Sequence, residues 1–268
     1  MVAVSASQKS RIGLLWALAL AAASAMPTAQ AMDEDQTNFL METDQVSPTQ
    51  QQAYETGIQK YNQCLSQSGF PLARTAWAHE NGTLSTYSYL SGPATWKSFD
   101  AVLAAEKTCL PVKQAAVNPY LESESRRFWS LTPELSIHYQ DLLTAVPPIL
   151  ELKYFTIKNG VKPSNDFTGS ISEFAAAAGK STWKGQLMTL SSTDGDRGEP
   201  DYAVVRHYQS MADFGDKQDL NYVQFVTMLQ QKLGKAKVTA DLKAINDAIA
   251  DVYFDLYSYE AELSLARQ

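Results

Sequence analysis

The sequence predicts an α+β fold in which a β-α-β-β-α-β unit occurs twice in succession. First, strand-like and helix-like hydrophobic periods follow this order along residues 38–131 and again along residues 152–259. Second, Asn81-Gly82 separates two runs rich in Thr, Trp and Tyr, which is typical of a β-hairpin. Third, residues 128–136 and 256–264 are identical at four of nine positions. Chance similarity of two unrelated α+β halves is the alternative.

The first helix of the first unit has a defined start and an apolar face. Ser47 precedes Pro48, and Gln50 follows, which is the pattern of an N-cap with its capping-box partner. Apolar residues then recur at spacings of four, three and four on one helical face: Tyr54, Ile58, Tyr61 and Leu65. The apolar segment 38–41 supplies the preceding strand, and Gly-Phe-Pro at 69–71 ends the helix.

A hairpin, a second helix and a final strand complete the first unit. Residues 74–79 and 83–90 form the strands around the Asn-Gly turn, and Ser-Gly-Pro at 91–93 ends the second of them. The second helix carries on one face Trp96, Phe99, Val102 and Leu103. After a connection over residues 111–119, the sequence at 127–131 predicts a strand.

The second unit begins after Pro147-Pro148, which we interpret as the boundary between domains 32–146 and 147–268. Its strands are predicted at residues 152–158, 185–191, 202–208 and 253–259. The first helical stripe is Phe167, Ile171, Phe174 and Ala178. The second is Tyr222, Phe225, Val226, Leu229 and Leu233. A further helical stripe is Leu242, Ile245, Ile249 and Val252.

The first 31 residues predict a cleavable secretory signal peptide. Lys9 and Arg11 precede an apolar run at 12–23, and small residues before Ala31 form a cleavage site. A membrane anchor is the alternative, but the run is shorter than the roughly 20 residues that a spanning helix needs. We therefore expect cleavage after Ala31 and a periplasmic or secreted mature chain that is not inserted in a membrane.

Charge and cysteine content narrow the range of partners. The 268 residues include 22 basic and 29 acidic side chains, a net charge of −7. This argues against nucleic acid or anionic lipid as the main partner, because phosphate binding needs clustered Lys and Arg. Cys64 and Cys109 are the only cysteines. In an oxidising compartment they predict one structural disulfide, with two separate thiols as the alternative.

The predicted element order is the ferredoxin-like arrangement, in which two helices cover one face of a four-stranded antiparallel sheet. Two such sheets can bury their uncovered faces against each other. Residues 37–265 therefore resemble the dimeric α/β-barrel superfamily, with two tandem ferredoxin-like domains packed sheet to sheet as a pseudo-dimeric α/β barrel. The arrangement places Cys64 and Cys109 on neighbouring helices of one sheet face. The resemblance carries no family-specific motif, so it assigns no catalytic residue.

Motifs of the common enzyme classes are absent from the sequence. There is no Gly-x-Ser-x-Gly elbow, no Ser-x-x-Lys and no phosphate-cradling glycine loop. His79-Glu80 lacks the second histidine of a helical zinc site, so we interpret His79 as a strand-end residue. The acidic loop 194–201 starts like a calcium loop, but Gly198 and Val205 occupy ligand positions. We expect a hairpin tip there and no metal site.

A strand histidine and several strand aromatics are the candidate ligand-binding residues. Along residues 202–208 one alternating face lines the space between the sheets, where a polar group binds a ligand or is satisfied by a neighbour. Core packing is the alternative for the aromatics, because strands favour them. A cavity lined by Tyr and Trp suits a flat apolar ligand or a peptide. The candidates are His207, Tyr208, Arg206, Trp77, Tyr87 and Tyr257.

Three classes of function fit these observations. The main hypothesis is a non-catalytic, exported binding or accessory protein that takes a small apolar ligand and needs no cofactor. The superfamily resemblance implies a second, a cofactor-free oxygenase or a haem-handling enzyme, since such chemistry needs few fixed motifs. The third is a protein-interaction module with a partner in the cell envelope. One fold hosts many functions, so the fold does not choose among them.

Overall fold

The structure repeats one β-α-β-β-α-β unit, as the sequence predicts. The computed structural model describes residues 37–143, 146–158, 167–193 and 199–266, with backbone only at 216–221. The elements of these residues are β1 (Asn38–Val46), α1 (Gln51–Gln67), β2 (Arg74–His79), β3 (Thr86–Ala94), α2 (Trp96–Ala116), β4 (Leu121–Leu131), β5 (Ile149–Ile157), α3 (Phe167–Gly179), β6 (Met188–Ser192), β7 (Tyr202–Tyr208), α4 (Met211–Leu233), α5 (Lys235–Ala248) and β8 (Ile249–Tyr259). The second repeat has one additional helix, α5.

All eight strands join in one closed antiparallel barrel. The strand order is β1-β3-β2-β8-β5-β7-β6-β4, with β4 returning to β1. Each repeat supplies four adjacent strands, and the repeats meet at two seams of three residue pairs each, β2 with β8 and β4 with β6. The inner sheet faces therefore share one interior. This confirms the predicted α+β fold, a pseudo-dimeric α/β barrel of two ferredoxin-like units. The described residues form one compact unit, so the domain boundary at residue 147 stays a prediction.

The same local structure fastens both seams, at the stretch where the sequence repeats. A single turn of 3-10 helix follows β4 and another follows β8. After the first turn, the hydroxyl of Ser136 accepts a hydrogen bond from the amide of Thr189 in β6 at 2.9 Å. After the second, the hydroxyl of Ser264 accepts one from the amide of Ala76 in β2 at 2.8 Å. Equivalent serines thus tie each repeat to the other, which favours duplication over chance similarity.

Helices α1 and α2 cover the outer face of the first repeat and are joined by a disulfide. The predicted apolar face of α1 is buried throughout: Tyr54, Ile58, Tyr61 and Leu65. Cys64 of α1 is bonded to Cys109 of α2, with Cα atoms 5.8 Å apart, and the two lie 45 residues apart in sequence. The predicted disulfide is confirmed. A bridge over such a separation stabilises a fold by roughly 2–4 kcal/mol.

Several predicted boundaries in the first repeat are wrong, among them the start of α1 and the end of β3. Helix α1 begins at Gln51, because Ser47 does not cap it: the Ser47 carbonyl closes a turn with the Gln50 amide at 2.8 Å, and its hydroxyl contacts that of Thr49 at 3.3 Å. Strand β3 continues to Ala94, because β1 reaches far enough to pair with it there. A partner strand thus extends β3 through the Gly-Pro pair at 92–93.

The helix ends were also misjudged. Helix α2 runs past Pro111 to Ala116, since that proline lies on the exposed side of the helix. Leu103 is 48% exposed and does not belong to the buried face. Ile249 and Val252 belong to β8, where they pair with Ile157 and Phe155 of β5, although their spacing is helical. Tertiary pairing overrides the local periodicity at these positions.

Two other sequence predictions concern residues outside the described part of the chain. The predicted signal peptide, residues 1–31, lies there, as do residues 194–198 of the calcium-like loop. Within the described ranges, no helix has both the length and the apolar character that crossing a bilayer requires. Nor do the described His, Cys, Asp and Glu residues form a cluster able to hold a metal ion.

Candidate functional site

One end of the barrel holds an apolar cavity of about 350 Å³. Its walls are residues of six strands, together with Leu142 and Leu143 from the connection between the repeats. Every second side chain of a barrel strand points inward, and apolar residues occupy those positions here. The principal wall residues are Phe39, Trp77, Leu90, Leu150, Met188 and Val205. The sequence thus builds a cavity for an apolar molecule.

The polar side-chain atoms of Trp77 and Thr75, which line one wall of the cavity, already have hydrogen-bond partners within the protein. The indole nitrogen of Trp77 donates to the hydroxyl of Thr75 at 3.0 Å. That hydroxyl in turn donates to the carbonyl of Leu90 at 3.2 Å. The ring of Trp77 also contacts Tyr259, with centroids 5.4 Å apart. Trp77 therefore offers a fixed ring face and no spare hydrogen bond to a ligand.

His207 is the one ionisable side chain among the described residues that line the cavity. It is half-buried, and no hydrogen bond joins its ring to another described residue. Burial lowers the pKa of His207 to about 4, because an apolar surrounding disfavours the charged ring. The imidazole is therefore neutral at pH 7 and has one nitrogen able to accept a proton or a hydrogen bond. The cavity thus combines apolar walls with a single neutral base.

Arg206 and Tyr208 lie on the opposite face of β7, under the helices of the second repeat. The hydroxyl of Tyr208 donates to Glu151 Oε2 at 2.7 Å. Arg206 lies 3.8 Å from the same carboxylate oxygen. Glu151 is only 2% exposed, so these two side chains hold a buried carboxylate. Of the three candidates on β7, only His207 therefore faces the cavity.

Tyr87 lies outside the barrel as well, whereas Tyr257 lies inside it, opposite the wall residue Leu150, with its hydroxyl directed to Tyr154. Tyr87 packs beneath α1 and donates from its hydroxyl to Glu55 Oε1 at 2.6 Å. The hydroxyl of Tyr257 lies 3.1 Å from that of Tyr154 and donates to Asp255 at 3.3 Å. Burial raises the pKa of both phenols. Tyr257 therefore belongs to a polar network separate from the apolar cavity.

His79 lies beside this polar network, and the pKa of its ring resembles that of His207. Its Nε2 atom lies 3.0 Å from the Ser88 hydroxyl, and its ring meets Tyr257 edge-on at 4.5 Å. Burial lowers the pKa of His79 to about 4. Unlike His207, it has a hydrogen-bond partner. The predicted strand-end role of His79 agrees with this position.

Several wall residues were not among the candidates from the sequence. Leu150 and Met188 occupy inward positions that alternation along β5 and β6 would have identified. Leu142 and Leu143 lie in a short 3-10 segment, Tyr139–Leu143, where no periodic pattern indicates which side chains turn inward. Sequence reasoning found the imidazole and one aromatic wall, but it did not find the aliphatic walls.

Known structures resemble this fold at very low sequence identity. An anthrone oxidase-like protein is 9% identical, with a TM-score of 0.54, over 85% of this chain and 92% of that one. A proposed monooxygenase from Lactobacillus acidophilus NCFM is 8% identical, with a TM-score of 0.52, over 86% and 97%. A mutant chlorite dismutase from Candidatus Nitrospira defluvii, in complex with cyanide, is 9% identical, with a TM-score of 0.52, over 85% and 93%.

These similarities establish the architecture of the chain. The three proteins share the fold of this chain, a pseudo-dimeric α/β barrel with both halves in one polypeptide. No protein-family model and no curated protein matches the sequence. At 8–9% identity the likeness shows the fold alone, so the residues of the cavity must carry any argument about function.

Proposed function

We propose that this protein is a cofactor-free oxygenase that oxidises a small, flat, apolar substrate in the cavity beside His207. The observation that carries the proposal is a neutral imidazole in the wall of an otherwise apolar cavity, with no hydrogen-bond partner among the described residues. Such a pocket selects an apolar molecule and offers one base to its acidic group. The anthrone oxidase-like protein and the proposed monooxygenase of the same fold support this reaction class.

Anthrone-type substrates match this chemistry. Their methylene group lies between two aromatic rings, opposite a carbonyl, so its C–H bond is acidic. His207 takes that proton, and the resulting imidazolium and carbanion attract each other strongly in apolar surroundings. The carbanion transfers electrons to O₂ and a C–O bond forms, which gives a hydroperoxide once the imidazolium returns its proton. Loss of the second methylene proton then breaks the O–O bond, forms the carbonyl and releases water. One oxygen atom enters the new carbonyl and the other leaves as water with the two methylene hydrogens, so no outside reductant is needed.

The cavity does not fit haem, the cofactor that the superfamily resemblance also suggests. Its volume of about 350 Å³ is near the lower end for sites of drug-sized ligands, and haem is larger than such ligands. Haem also carries two carboxylates, which Arg or Lys can pair. Neither residue type is present among the described residues lining the cavity. The proposed reaction therefore does not use haem.

A non-catalytic binding protein is the second candidate, and one observation favours it. The pKa of about 4 makes His207 a weak base in the free protein, whereas efficient general bases titrate near the working pH. Under this candidate the same cavity holds an apolar ligand, and His207 only accepts a hydrogen bond. The two candidates share the ligand class and differ in whether the ligand is oxidised.

Oxidation of anthrone in air distinguishes the candidates. We expect the wild-type protein to consume O₂ and form anthraquinone faster than buffer alone, and His207→Gln to slow this by about 100-fold. His79→Gln is the matched control and should retain the rate, since His79 is a buried strand histidine of similar pKa outside the cavity. Binding without oxidation supports the second candidate and refutes the oxygenase. Absence of anthrone binding, measured by isothermal titration, refutes both.

We also propose that the protein is exported from the cytoplasm. The basic and apolar pattern at residues 9–23 supports export, as does the Cys64–Cys109 disulfide, because such bonds persist in oxidising compartments. Mass spectrometry of the N-terminus of protein secreted from its natural host tests this point. A mature chain beginning at Met32 is expected, and an intact N-terminus would contradict it.

A further inference from the structure

The first half of β8 leaves one edge of the barrel open. Strand β5 pairs with β8 from end to end, but β2 pairs only with residues 257–259 on the other side. The side chain of Asn81 prolongs this contact slightly. Its oxygen accepts a hydrogen bond from the Leu256 amide at 2.7 Å, and its nitrogen donates one to the Phe254 carbonyl at 2.9 Å. Backbone groups alternate in direction along a strand, so those of Val252 point toward the same open edge. Among the described residues, none pairs with that edge at Val252.

The side chains along this edge are large and partly exposed: Val252 and Phe254 share one face of the strand, and Tyr253, on the other face, stacks on Tyr154 with ring centroids 4.9 Å apart. Val252 is 45% exposed, Tyr253 is 44% exposed and Phe254 is 40% exposed. Natural proteins usually protect an open strand edge with charges. The equivalent part of β4 follows this rule. Ser130 of β4 corresponds to Ser258 of β8 in the repeat, so Glu124 of β4 occupies the position of Val252 in β8. The β8 edge is therefore an apolar exception within an otherwise symmetric barrel.

Acidic side chains surround the apolar edge. Asp251 flanks it and is exposed, while Asp255 flanks it on the other side and accepts from the Tyr257 hydroxyl at 3.3 Å. The amide of Glu80 bonds the Leu256 carbonyl at the end of the edge. Lys153 of β5 and Arg127, which contacts Tyr253, are the neighbouring bases. A second copy of this chain is a poor partner, because it brings its own Asp251 and Asp255 to the same edge and both copies carry a net charge of −7. A strand with basic residues beside its apolar ones instead complements the edge in charge.

We propose that the β8 edge, residues 250–254, binds an extended segment of another protein that has apolar residues flanked by lysine or arginine. The segment adds to the barrel as a ninth strand, and its backbone pairs with the free groups of Val252. Its apolar side chains cover Val252, Tyr253 and Phe254. Its basic residues meet Asp251 and Asp255. This surface is separate from the cavity beside His207, so it does not depend on the oxygenase proposal.

The test uses a fluorescent eight-residue peptide of alternating valine and threonine with a lysine at each end. Fluorescence anisotropy with the full-length protein should show saturable binding. The same peptide with a glutamate at each end should bind the wild-type protein about tenfold more weakly. At low salt the lysine peptide should also bind the Asp251→Asn variant about tenfold more weakly than it binds the wild type. Val252→Pro removes the edge amide without touching the β5 pairing and should abolish binding.

Two further variants make the outcome decisive. Glu124→Pro alters the equivalent position of β4 and should leave binding unchanged. Val252→Lys keeps the backbone amide but repels the lysine peptide, so it should weaken binding even if the proline variant folds poorly. Equal binding of the lysine and glutamate peptides, or full binding by Val252→Lys, would overturn the proposal. Self-association of the wild-type protein that Val252→Lys abolishes would replace the basic segment with a second copy and refute it.

Discussion

Replacement of Glu42 by glutamine is expected to lower the free energy of unfolding by about 3–5 kcal/mol, because it leaves buried positive charge without its counterion. Glu42 is 3% exposed and sits beneath the helices of the first repeat. Arg126 Nη2 approaches it at 2.6 Å, Arg74 Nη2 at 3.3 Å and Lys113 Nζ at 4.0 Å. Arg74 is itself buried and cannot regain water when the carboxylate is removed. Urea unfolding followed by circular dichroism measures the loss.

The pH dependence of unfolding gives an independent check of Glu42. Burial alone would raise its pKa, but the charges of Arg74, Arg126 and Lys113 lower it to about 2. Because the folded-state pKa lies below the ordinary value of 4.5, the ionised Glu42 stabilises the fold above pH 4.5, and this contribution is lost as the pH falls toward 2. Glu42→Gln should lack this component.

A surface ion pair provides the control for Glu42. Lys237 lies 2.7 Å from Glu173, and both side chains are more than 40% exposed. Lys237→Gln should therefore leave the unfolding free energy nearly unchanged. A similar small loss for Glu42→Gln would mean that the buried charges are compensated by water rather than by one another.

Filling the cavity is expected to weaken anthrone binding strongly. Val205 is 3% exposed, lies on β7 and faces the cavity two residues before His207. Val205→Trp places an indole where the ligand would lie and should weaken binding by about 100-fold, equivalent to about 3 kcal/mol. Overpacking costs a fold about 1–3 kcal/mol, so circular dichroism should still show a folded protein. Isothermal titration with anthrone measures the affinity.

Val204→Trp is the matched control on the same strand. Val204 is half-buried and faces the helix side of β7, away from the cavity. Its replacement should leave the anthrone affinity within about threefold of wild type. Equal affinity of Val205→Trp and wild type would show that anthrone binds somewhere else.

Local signals predicted those parts of the fold that depend on neighbours in sequence. The boundaries of β2 and β7, the face of α1 and the disulfide followed from alternation, helical spacing and cysteine count. The repeated stretches at 128–136 and 256–264 indicated the duplication, and both fasten a seam of the barrel. The seams themselves were beyond local reasoning, since a strand's own sequence does not indicate its distant partner. The helical spacing of Ile249 and Val252 failed for the same reason.

The candidate site was predicted only in part, and β7 shows why. Alternation separated His207 from Arg206 and Tyr208, but both faces of the strand carry large side chains, so neither face was favoured as the inner one. Glu151 of β5 decides the matter, because its buried carboxylate accepts from Tyr208 on the outer side. That contact joins residues 57 positions apart. The walls at Leu142 and Leu143 come from an irregular segment that has no pattern.

An NMR titration of the histidine side chains, with and without anthrone, tests directly whether the cavity beside His207 is the functional site. In the free protein the pKa of His207 should be about 4. Bound anthrone should change the His207 signals and leave those of His79 in place, and an anionic substrate beside the ring should raise the pKa of His207. Binding that leaves the His207 signals unchanged, or that changes His79 instead, would contradict the claim that the cavity is the functional site.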